Sequence, residues 1–204
     1  MARILCQRCE RPEAVCICSG LEAHKSPIQV VILQTPREQK HALNSGRIVR
    51  LGISGCRIFV GEDFSGHKEL QTLLTRWHGK TWLLYPGDNA LQPEQMARNS
   101  GDYGAGLLVV LDATWRKARR MLYINPFLSE LPRVALPESL LSRYRIRKVP
   151  GQGYLSTVEA VVACLQRAGH PKAGCEQMLV AFEQMIDQQI QSMGETVFRE
   201  NYRP

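Results

Sequence analysis

The sequence predicts an α/β protein with a mostly parallel sheet and helices on both of its faces. Short apolar runs alternate along the chain with segments of helical periodicity, which is typical of parallel strands joined by helices. The run over residues 107–111 is apolar at every position, so we expect a strand that is buried on both faces. With 204 residues, 44% of them hydrophobic and 22% charged, the chain is long enough for one such domain and a small appendage.

Each predicted strand is a short apolar run that ends at a polar or turn-forming residue. The third run is closed by Pro86 and Gly87, and the fifth is bounded by two prolines. The predicted strands cover residues 28–33, 57–60, 81–85, 107–111 and 133–136.

The helices are predicted from their periodicity and from their start and stop residues. Thr35 is expected to be the N-cap of the first helix, with Pro36 as its first residue and Glu38 completing a capping box. We expect this helix to end near residues 44–46. The other predicted helices cover residues 68–77, 93–99 and 114–123, and then 157–168 and 171–193, which are expected to finish the chain.

Four of the seven cysteines lie within thirteen residues, as Cys6-x-x-Cys9 and Cys16-x-Cys18. In a reducing compartment, this spacing predicts a tetrahedral zinc site with four thiolate ligands. Four thiolates leave no coordination position open, so the zinc is expected to be structural rather than catalytic.

The cysteine-rich segment also sets the expected domain organisation. Residues 1–25 are predicted to form a zinc-binding knuckle and linker, and residues 26–204 one larger catalytic domain. Residues 1–5 are too few for the apolar region of a signal peptide, and no apolar stretch approaches the length of a membrane span. We therefore expect a cytoplasmic protein, and nothing in the sequence predicts a membrane contact or an obligate protein partner.

A formal net charge of +7 and a pI near 9.2 favour an anionic partner, and many of the cations are clustered. In a helix, positions 116, 119 and 120 share a face, and in an extended segment alternate positions from 143 onward point the same way. The alternative for each residue is an ordinary solvated surface charge. The candidate contacts to the phosphates of a nucleic acid are Arg8, Arg11, Arg47, Arg116, Lys117, Arg119, Arg120, Arg143, Arg145, Arg147 and Lys148.

Polar residues follow the predicted strands at the edge where the carboxyl ends of the strands meet. Ligands of open α/β sheets bind beyond this edge. Asp112, Thr114 and Trp115 come directly after the run 107–111, so a carboxylate, a hydroxyl and an indole lie where chemistry is expected. Structural alternatives stay open, since Asp112 also suits an ordinary N-cap and Trp115 an ordinary core position.

Two other loops at this edge carry polar pairs, Thr35 with Glu38 and Ser156 with Glu159. Each pair equally suits a capping box that does no more than start a helix. No strand is followed by G-x-G-x-x-G or by a Walker-type glycine loop, which argues against a Rossmann dinucleotide site and against an NTPase. A nucleotide-like ligand is therefore expected to be held by loops of another kind.

Several motifs, taken in chain order, are more specific together than any of them alone. They are Cys6-x-Arg8-Cys9-x-Arg11-Pro12-x3-Cys16-x-Cys18, Asn44-Ser45-Gly46-Arg47, Asp112-x-Thr114-Trp115, Tyr144-x-x-Arg147 and Ser156-Thr157-x-Glu159-Ala160. In this combination the chain resembles the DTW-domain family, the tRNA-uridine aminocarboxypropyltransferases, over nearly its whole length.

The resemblance implies a fold related to the SPOUT methyltransferases, with a C-terminal knot. It also implies transfer of the 3-amino-3-carboxypropyl group from S-adenosylmethionine to N3 of a uridine in tRNA, giving acp3U and methylthioadenosine. Two alternatives stay open, a SPOUT-like RNA methyltransferase and a non-catalytic zinc-containing RNA-binding protein. The expected co-substrate is thus S-adenosylmethionine, the expected metal is Zn²⁺ and the expected partner is tRNA.

Under this resemblance, Asp112 is the candidate general base for uridine N3, or else a hydrogen-bond partner of the uracil edge or of the amino group of S-adenosylmethionine. Thr114 is expected to bond S-adenosylmethionine, and Trp115 to stack on adenine or uracil or to shield the sulfonium. Ser156 and Thr157, at a helix N-terminus, are expected to bind its carboxylate through their hydroxyls and through free backbone N–H groups. The candidate residues for binding S-adenosylmethionine are Thr35, Leu84, Tyr85, Pro86, Leu111, Leu136, Ser156, Thr157 and Glu159.

Overall fold

A single parallel sheet organises the part of the chain that this computed structural model describes, residues 4–101, 104–146 and 155–202. Its strands are β1 (Ile28–Gln34), β2 (Arg57–Val60), β3 (Thr81–Leu84), β4 (Gly106–Asp112) and β5 (Arg133–Val134). Their order in the sheet is β2-β1-β4-β3-β5, and every neighbouring pair is parallel. The predicted α/β class with a parallel sheet is therefore confirmed.

The helices of the described chain lie between and after the strands. They are α1 (Pro36–Gln39), α2 (Gly46–Gly52), α3 (Lys68–Arg76), α4 (Pro93–Asn99), α5 (Trp115–Ile124), α6 (Pro126–Ser129), α7 (Thr157–Arg167), α8 (Lys172–Met193) and α9 (Glu195–Tyr202), and a 3-10 turn covers Glu13–Val15.

Two expectations about the helices are wrong, the extent of the first helix and the end of the last one. The first predicted helix is two helices, because α1 ends at Gln39 and residue 46 begins α2 instead of ending a helix. The hydroxyl of Thr35 makes no capping hydrogen bond, so the expected capping box with Glu38 does not form. The second error is at the C-terminus, where Gly194, with φ of 85°, turns the chain out of α8 into a further helix, α9.

The expectation of a strand buried on both faces is confirmed, and the burial pattern explains the two helical layers. Side chains alternate across a strand, so Leu108 and Val110 face one layer while Leu107 and Val109 face the other. The first layer contains buried residues of α2, α4, α7 and α8, and the second contains those of α3, α5 and α6. The β4 strand thus lies at the centre of both cores.

The N-terminal segment packs into the first of these cores. Cys9, Ile17 and Leu21 are each no more than 1% exposed and belong to the same apolar cluster as α7 and α8. Arg11 fastens this segment, because its guanidinium donates to the carbonyl oxygens of Val15 (2.9 Å) and Ala42 (2.8 Å). The domain boundary after residue 25 stays a prediction.

Two further expectations concern the whole chain. The C-terminal knot stays a prediction, since residues 147–154, which lead into α7, lie outside the described residues. Within the described ranges, no helix combines the length and the apolar character that crossing a membrane requires.

Candidate functional site

A cavity of about 820 Å³ lies at the edge of the sheet where the strands have their carboxyl ends. Its walls come from the residues that follow β1, β3, β4 and β5, from the segment 144–146 and from the start of α7. The volume is in the range of small-molecule sites. The position agrees with the rule that ligands of open α/β sheets bind beyond this edge.

The structure brings most of the predicted site residues together around this cavity. Those that line it are Leu84, Tyr85, Pro86, Leu111, Asp112, Thr114, Trp115, Leu136 and Thr157. Thr35, Ser156 and Glu159 lie behind its wall and are buried. Sequence reasoning missed Tyr202, which reaches the cavity from the unexpected helix α9, and Arg37, which follows Pro36 on α1.

Asp112 is a buried carboxylate held by two uncharged groups. Its Oδ1 accepts a hydrogen bond from the hydroxyl of Thr157 (2.6 Å), and its Oδ2 accepts one from Nε2 of Gln34 (2.5 Å). Asp112 is only 8% exposed. No cation of the described chain forms an ion pair with it, so its orientation depends on these neutral donors.

Gln34, which sequence reasoning also missed, continues this network to the start of α2. Its Nε2 donates to Oδ1 of Asn44 as well (3.1 Å), and that same oxygen accepts from the backbone N–H of Arg47 (3.1 Å). The available signal was an amide residue directly after the apolar run of β1. At 1% exposure, such an amide needs buried partners.

Gly46 lets α2 begin against the carboxylate. A Cβ atom at this position would lie 2.7 Å from Oδ2 of Asp112 and 3.3 Å from Oδ1 of Asn44. Any other residue would therefore displace one of these groups. The close approach explains why this position requires glycine, although its sequence context had suggested a helix stop.

Thr114 is the N-cap of α5, since its hydroxyl oxygen accepts from the backbone N–H of Lys117 (3.4 Å). The alternative in which Asp112 caps this helix is therefore wrong. Because the oxygen accepts the capping bond, the hydroxyl hydrogen of Thr114 can still be donated to a ligand in the cavity.

Aromatic rings form one side of the cavity. The rings of Tyr85 and Trp115 have centroids 5.7 Å apart and are tilted by 49°. Trp115 is 39% exposed, so it lies at the cavity and the core alternative is wrong. The guanidinium carbon of Arg133 lies 5.5 Å from the centre of the Tyr85 ring. Burial raises the pKa of the Tyr85 hydroxyl, and the charges of Arg119 and Arg133 oppose that rise.

Ser156 and Glu159 form the capping box of α7 behind the cavity wall. The Ser156 hydroxyl donates to Oε2 of Glu159 (2.6 Å) and accepts from its backbone N–H (3.4 Å). Glu159 also accepts from the Ser142 hydroxyl (2.9 Å) and the backbone N–H of Arg143 (2.6 Å). The Ser156 hydroxyl and the Glu159 carboxylate, which were expected to bind S-adenosylmethionine, thus bind each other. The contacts of Glu159 with Ser142 and Arg143 also hold the segment that places Tyr144 in the cavity wall.

Thr35 is also behind the wall. The residue is fully buried, and its hydroxyl oxygen has no hydrogen-bond partner among the described residues. Its backbone N–H donates to the carbonyl oxygen of Asp112 (3.2 Å), which joins the ends of β1 and β4. The contact of Thr35 with S-adenosylmethionine stays a prediction.

The four N-terminal cysteines converge in a geometry that suits a metal ion. Their sulfur atoms all lie within 4.8 Å of one another, with Cys6–Cys18 at 3.8 Å and Cys9–Cys16 at 3.7 Å. Zinc–sulfur bonds of about 2.3 Å in a tetrahedron imply sulfur–sulfur distances of about 3.8 Å. The backbone N–H groups of Cys9 and of Arg8 lower the pKa of the Cys6 thiol to about 6.

The predicted RNA contacts fall into two groups, and the first lies on α5. Arg116, Arg119 and Arg120 are exposed, and Tyr123 on the same helix is 87% exposed. Arg120 and Lys117 approach the carboxylate of Glu62 at 3.6 Å and 4.0 Å. Neither Arg116 nor Arg119 forms an ion pair with a residue of the described chain.

The described residues of the second group already make ion pairs or hydrogen bonds within the protein. Arg143 and Arg145 pair with Glu183 (2.7 Å) and Asp187 (2.5 Å) on α8. In the N-terminal region, Arg47 pairs with Glu10 (3.2 Å), Arg8 donates to the carbonyl oxygen of Leu21 (3.2 Å), and Arg11 is buried. Arg147 and Lys148 lie outside the described residues.

Comparison with known proteins adds independent findings. A family model described as DTW domain matches residues 3–190. The tRNA-uridine aminocarboxypropyltransferase 2 of Drosophila melanogaster is 34% identical over 167 residues, which are 78% of this chain and 64% of that protein. The protein of the same name from Macaca fascicularis is 30% identical over 164 residues, or 78% of this chain and 55% of its own length.

A plant relative covers more of both chains. The tRNA-uridine aminocarboxypropyltransferase A of Arabidopsis thaliana is 25% identical over 189 residues, 80% of this chain and 72% of that protein. The chain thus spans less than two thirds of the length of the fly and macaque relatives. No solved structure matches the chain.

The contacts of Glu159 lead to a first prediction. Glu159→Gln replaces one carboxylate oxygen by an amide nitrogen that cannot accept a hydrogen bond, so one of the buried donors on Ser156, Ser142 or Arg143 loses its partner. We expect the free energy of unfolding in urea to fall by about 1–3 kcal/mol. The amide hydrogen of Arg143 should also exchange with solvent at least tenfold faster in hydrogen-exchange measurements.

The matched control is Glu176→Gln, an exposed carboxylate on α8. It should leave both the unfolding free energy and the exchange at Arg143 unchanged. Equal effects of the two substitutions would show that Glu159 does not fasten the segment 142–144.

Proposed function

Because the chain belongs to the DTW-domain family, we propose that it transfers the 3-amino-3-carboxypropyl group of S-adenosylmethionine to N3 of a uridine in tRNA. The observation that carries the proposal is the oriented carboxylate of Asp112, the first residue of the Asp-x-Thr-Trp motif, in the wall of the large cavity. The chain matches only part of the relatives that bear the corresponding name, so its activity and its tRNA substrate are both part of the proposal.

The lining of the cavity suits S-adenosylmethionine. Leu84, Pro86 and Leu136 offer an apolar surface for adenine, and the rings of Tyr85 and Trp115 offer faces to a sulfonium cation. When bound there, S-adenosylmethionine supplies an electrophilic γ-carbon whose leaving group is methylthioadenosine. The cavity residues have the task of presenting that carbon, and not the methyl group, to the uridine.

We propose that Asp112 accepts the proton of uridine N3. This nitrogen is protonated at neutral pH, and a carboxylate within hydrogen-bond reach can accept its proton as the new N3–carbon bond forms. Thr157 and Gln34 hold one oxygen of Asp112 each, which orients the carboxylate for this role. Thr114 contributes its free hydroxyl hydrogen to the bound ligand.

The proposed tRNA surface is the exposed face of α5. On a helix, Trp115, Arg119 and Tyr123 follow one another at spacings of four residues, and Arg116 and Arg120 form the neighbouring row. The first row begins at the cavity, where Trp115 lies. Arginines contact phosphates while exposed rings stack on unpaired bases, so this face suits RNA that delivers a splayed uridine into the cavity.

We further propose that Cys6, Cys9, Cys16 and Cys18 hold one Zn²⁺ ion. Two sulfur–sulfur distances near 3.8 Å, between Cys6 and Cys18 and between Cys9 and Cys16, fit a tetrahedral zinc–thiolate site. The ion would stabilise the N-terminal segment, which packs against α7 and α8, and would take no part in the transfer. Such a site needs reduced thiols, which is consistent with a cytoplasmic location.

The decisive experiment uses tRNA and S-adenosylmethionine labelled separately in the methyl and carboxyl groups. The proposal expects the carboxyl label alone in tRNA, with methylthioadenosine as the by-product. Methyl label in tRNA with S-adenosylhomocysteine as by-product would identify a methyltransferase. Binding of tRNA without either label would identify a non-catalytic RNA-binding protein.

In the same assay, Asp112→Asn should bind tRNA and S-adenosylmethionine normally but transfer the carboxyl label about 10²–10⁴ times more slowly, because the amide cannot accept the N3 proton. Single-turnover rates measure this directly. The exposed Asp63→Asn is the matched control and should retain the full rate. Full turnover by Asp112→Asn would rule out Asp112 as the base.

The tRNA surface predicts a change in salt dependence. Replacing Arg116 and Arg119 together by alanine should lower the slope of log K against log salt by about one for each phosphate that the variant no longer binds. Filter binding of tRNA over a range of salt concentrations gives this slope. The double variant Arg57→Ala and Arg167→Ala removes the same charge elsewhere and should leave the slope nearly unchanged, and an equal change in both variants would contradict the assignment to α5.

The zinc proposal predicts one zinc ion per chain by elemental mass spectrometry. The double variant Cys16→Ser and Cys18→Ser should lose the ion and unfold at lower temperature, because metal binding contributes to the folding free energy. Cys56→Ser, which removes a thiol outside the cluster, should keep the ion. A wild-type protein without zinc after preparation in zinc-containing medium would refute the site.

A further inference from the structure

Arg37 is the one guanidinium among the described residues that line the cavity. It lies on α1, two residues after Thr35, whose backbone N–H binds the carbonyl oxygen of Asp112. The residue is exposed and forms no ion pair or side-chain hydrogen bond with the rest of the described chain. An unpaired guanidinium at a cavity offers a planar set of N–H groups to a ligand.

Apart from Arg37, the charged side chains of the described lining are carboxylates, while Arg119 and Arg133 lie outside this lining and act on Tyr85. Among the described residues, three carboxylates line the cavity, those of Glu38, Asp112 and Glu138, and the other titratable groups of this lining are His41 and three tyrosines. S-adenosylmethionine carries a sulfonium and an ammonium, which suit carboxylates, and one carboxylate, which needs a cation. The charges of the lining therefore complement those of S-adenosylmethionine when Arg37 faces the carboxylate.

The two hydroxyls that were first expected to contribute to binding this carboxylate are occupied. The Ser156 hydroxyl donates to Glu159, and the Thr157 hydroxyl donates to Asp112. Neither has a second hydroxyl hydrogen to give. The Arg37 side chain makes no such hydrogen bond within the described chain. A guanidinium can bind a carboxylate through two parallel hydrogen bonds.

We propose that Arg37 binds the carboxylate of the aminocarboxypropyl group and is a specificity-determining residue of the transfer. This inference rests on the proposed function. A fixed carboxylate end restricts where the γ-carbon of the same short chain can lie, which helps to present that carbon instead of the methyl group to the uridine. A ligand without the carboxylate gains nothing from Arg37.

Two nucleosides separate this role from a general effect on the cavity. S-adenosylhomocysteine has the amino and carboxylate groups, whereas methylthioadenosine has neither. By titration calorimetry, Arg37→Gln should bind S-adenosylhomocysteine roughly 10- to 100-fold more weakly than the wild type and methylthioadenosine within twofold of it. Arg37→Lys, which keeps the charge but not the planar fork, should fall between the wild type and Arg37→Gln.

Binding of methylthioadenosine also verifies that each variant keeps a folded cavity. Arg57→Gln, an exposed residue of β2 outside the cavity lining, is the matched control and should not change the affinity for S-adenosylhomocysteine. In filter binding, Arg37→Gln should retain the tRNA affinity of the wild type. Loss of tRNA affinity with unchanged S-adenosylhomocysteine affinity would make Arg37 an RNA contact and overturn the inference.

The remaining outcomes distinguish a failure of the Arg37 assignment from a failure of the proposed function. If the wild type binds both nucleosides and Arg37→Gln weakens neither, or weakens both equally, the assignment of Arg37 is wrong while the proposed function stands. If the wild type binds neither nucleoside, nor S-adenosylmethionine in the presence of tRNA, the proposed function fails and the assignment fails with it.

Discussion

The hydrogen bonds of the Asp112 carboxylate are the constraint on which the site depends. Through Gln34 and Thr157, this one side chain joins the end of β4 to the end of β1 and to the first turn of α7. The same carboxylate restricts the first residue of α2, since only glycine leaves room for its Oδ2 at position 46. Four elements of the fold therefore meet at one functional group, and a change in any of them alters the orientation of the carboxylate.

This arrangement has a cost that a purely structural residue would avoid. Burying a carboxylate without a cation is unfavourable, and two neutral hydrogen bonds offset only part of the loss of water. The described chain has arginines close by in sequence, such as Arg116, yet none pairs with Asp112. The carboxylate is held instead by the neutral groups of Gln34 and Thr157. These partners fix its orientation within the cavity without neutralising its charge.

The sheet could be predicted from the sequence because a strand buried on both faces, such as β4, appears as an unbroken apolar run, here the run before Asp112. The sequence was insufficient where tertiary contacts decide. The Asn44-Ser45-Gly46 stretch has the composition of a helix stop, but Gly46 begins α2, and its missing Cβ leaves room for Asp112. The capping box of Ser156 and Glu159 was visible, whereas its second task of fastening residues 142–144 depends on a contact between distant parts of the chain. For the same reason, Gln34 could not be recognised as a partner of Asp112 from local pattern.

The Asp-x-Thr-Trp motif is contiguous because it is the turn that converts β4 into α5. Asp112 is the last strand residue, Thr114 caps the helix, and Trp115 is its first residue. A carboxylate in the cavity wall and an indole at the cavity follow from one change of chain direction, and the exposed face of α5 continues from that indole. In the proposed reaction, RNA bound along α5 would meet the cavity at Trp115, next to the residue that accepts the N3 proton. Binding of the RNA and chemistry on its uridine are then coupled by the geometry of a single strand-to-helix turn, with no need for a separate moving element.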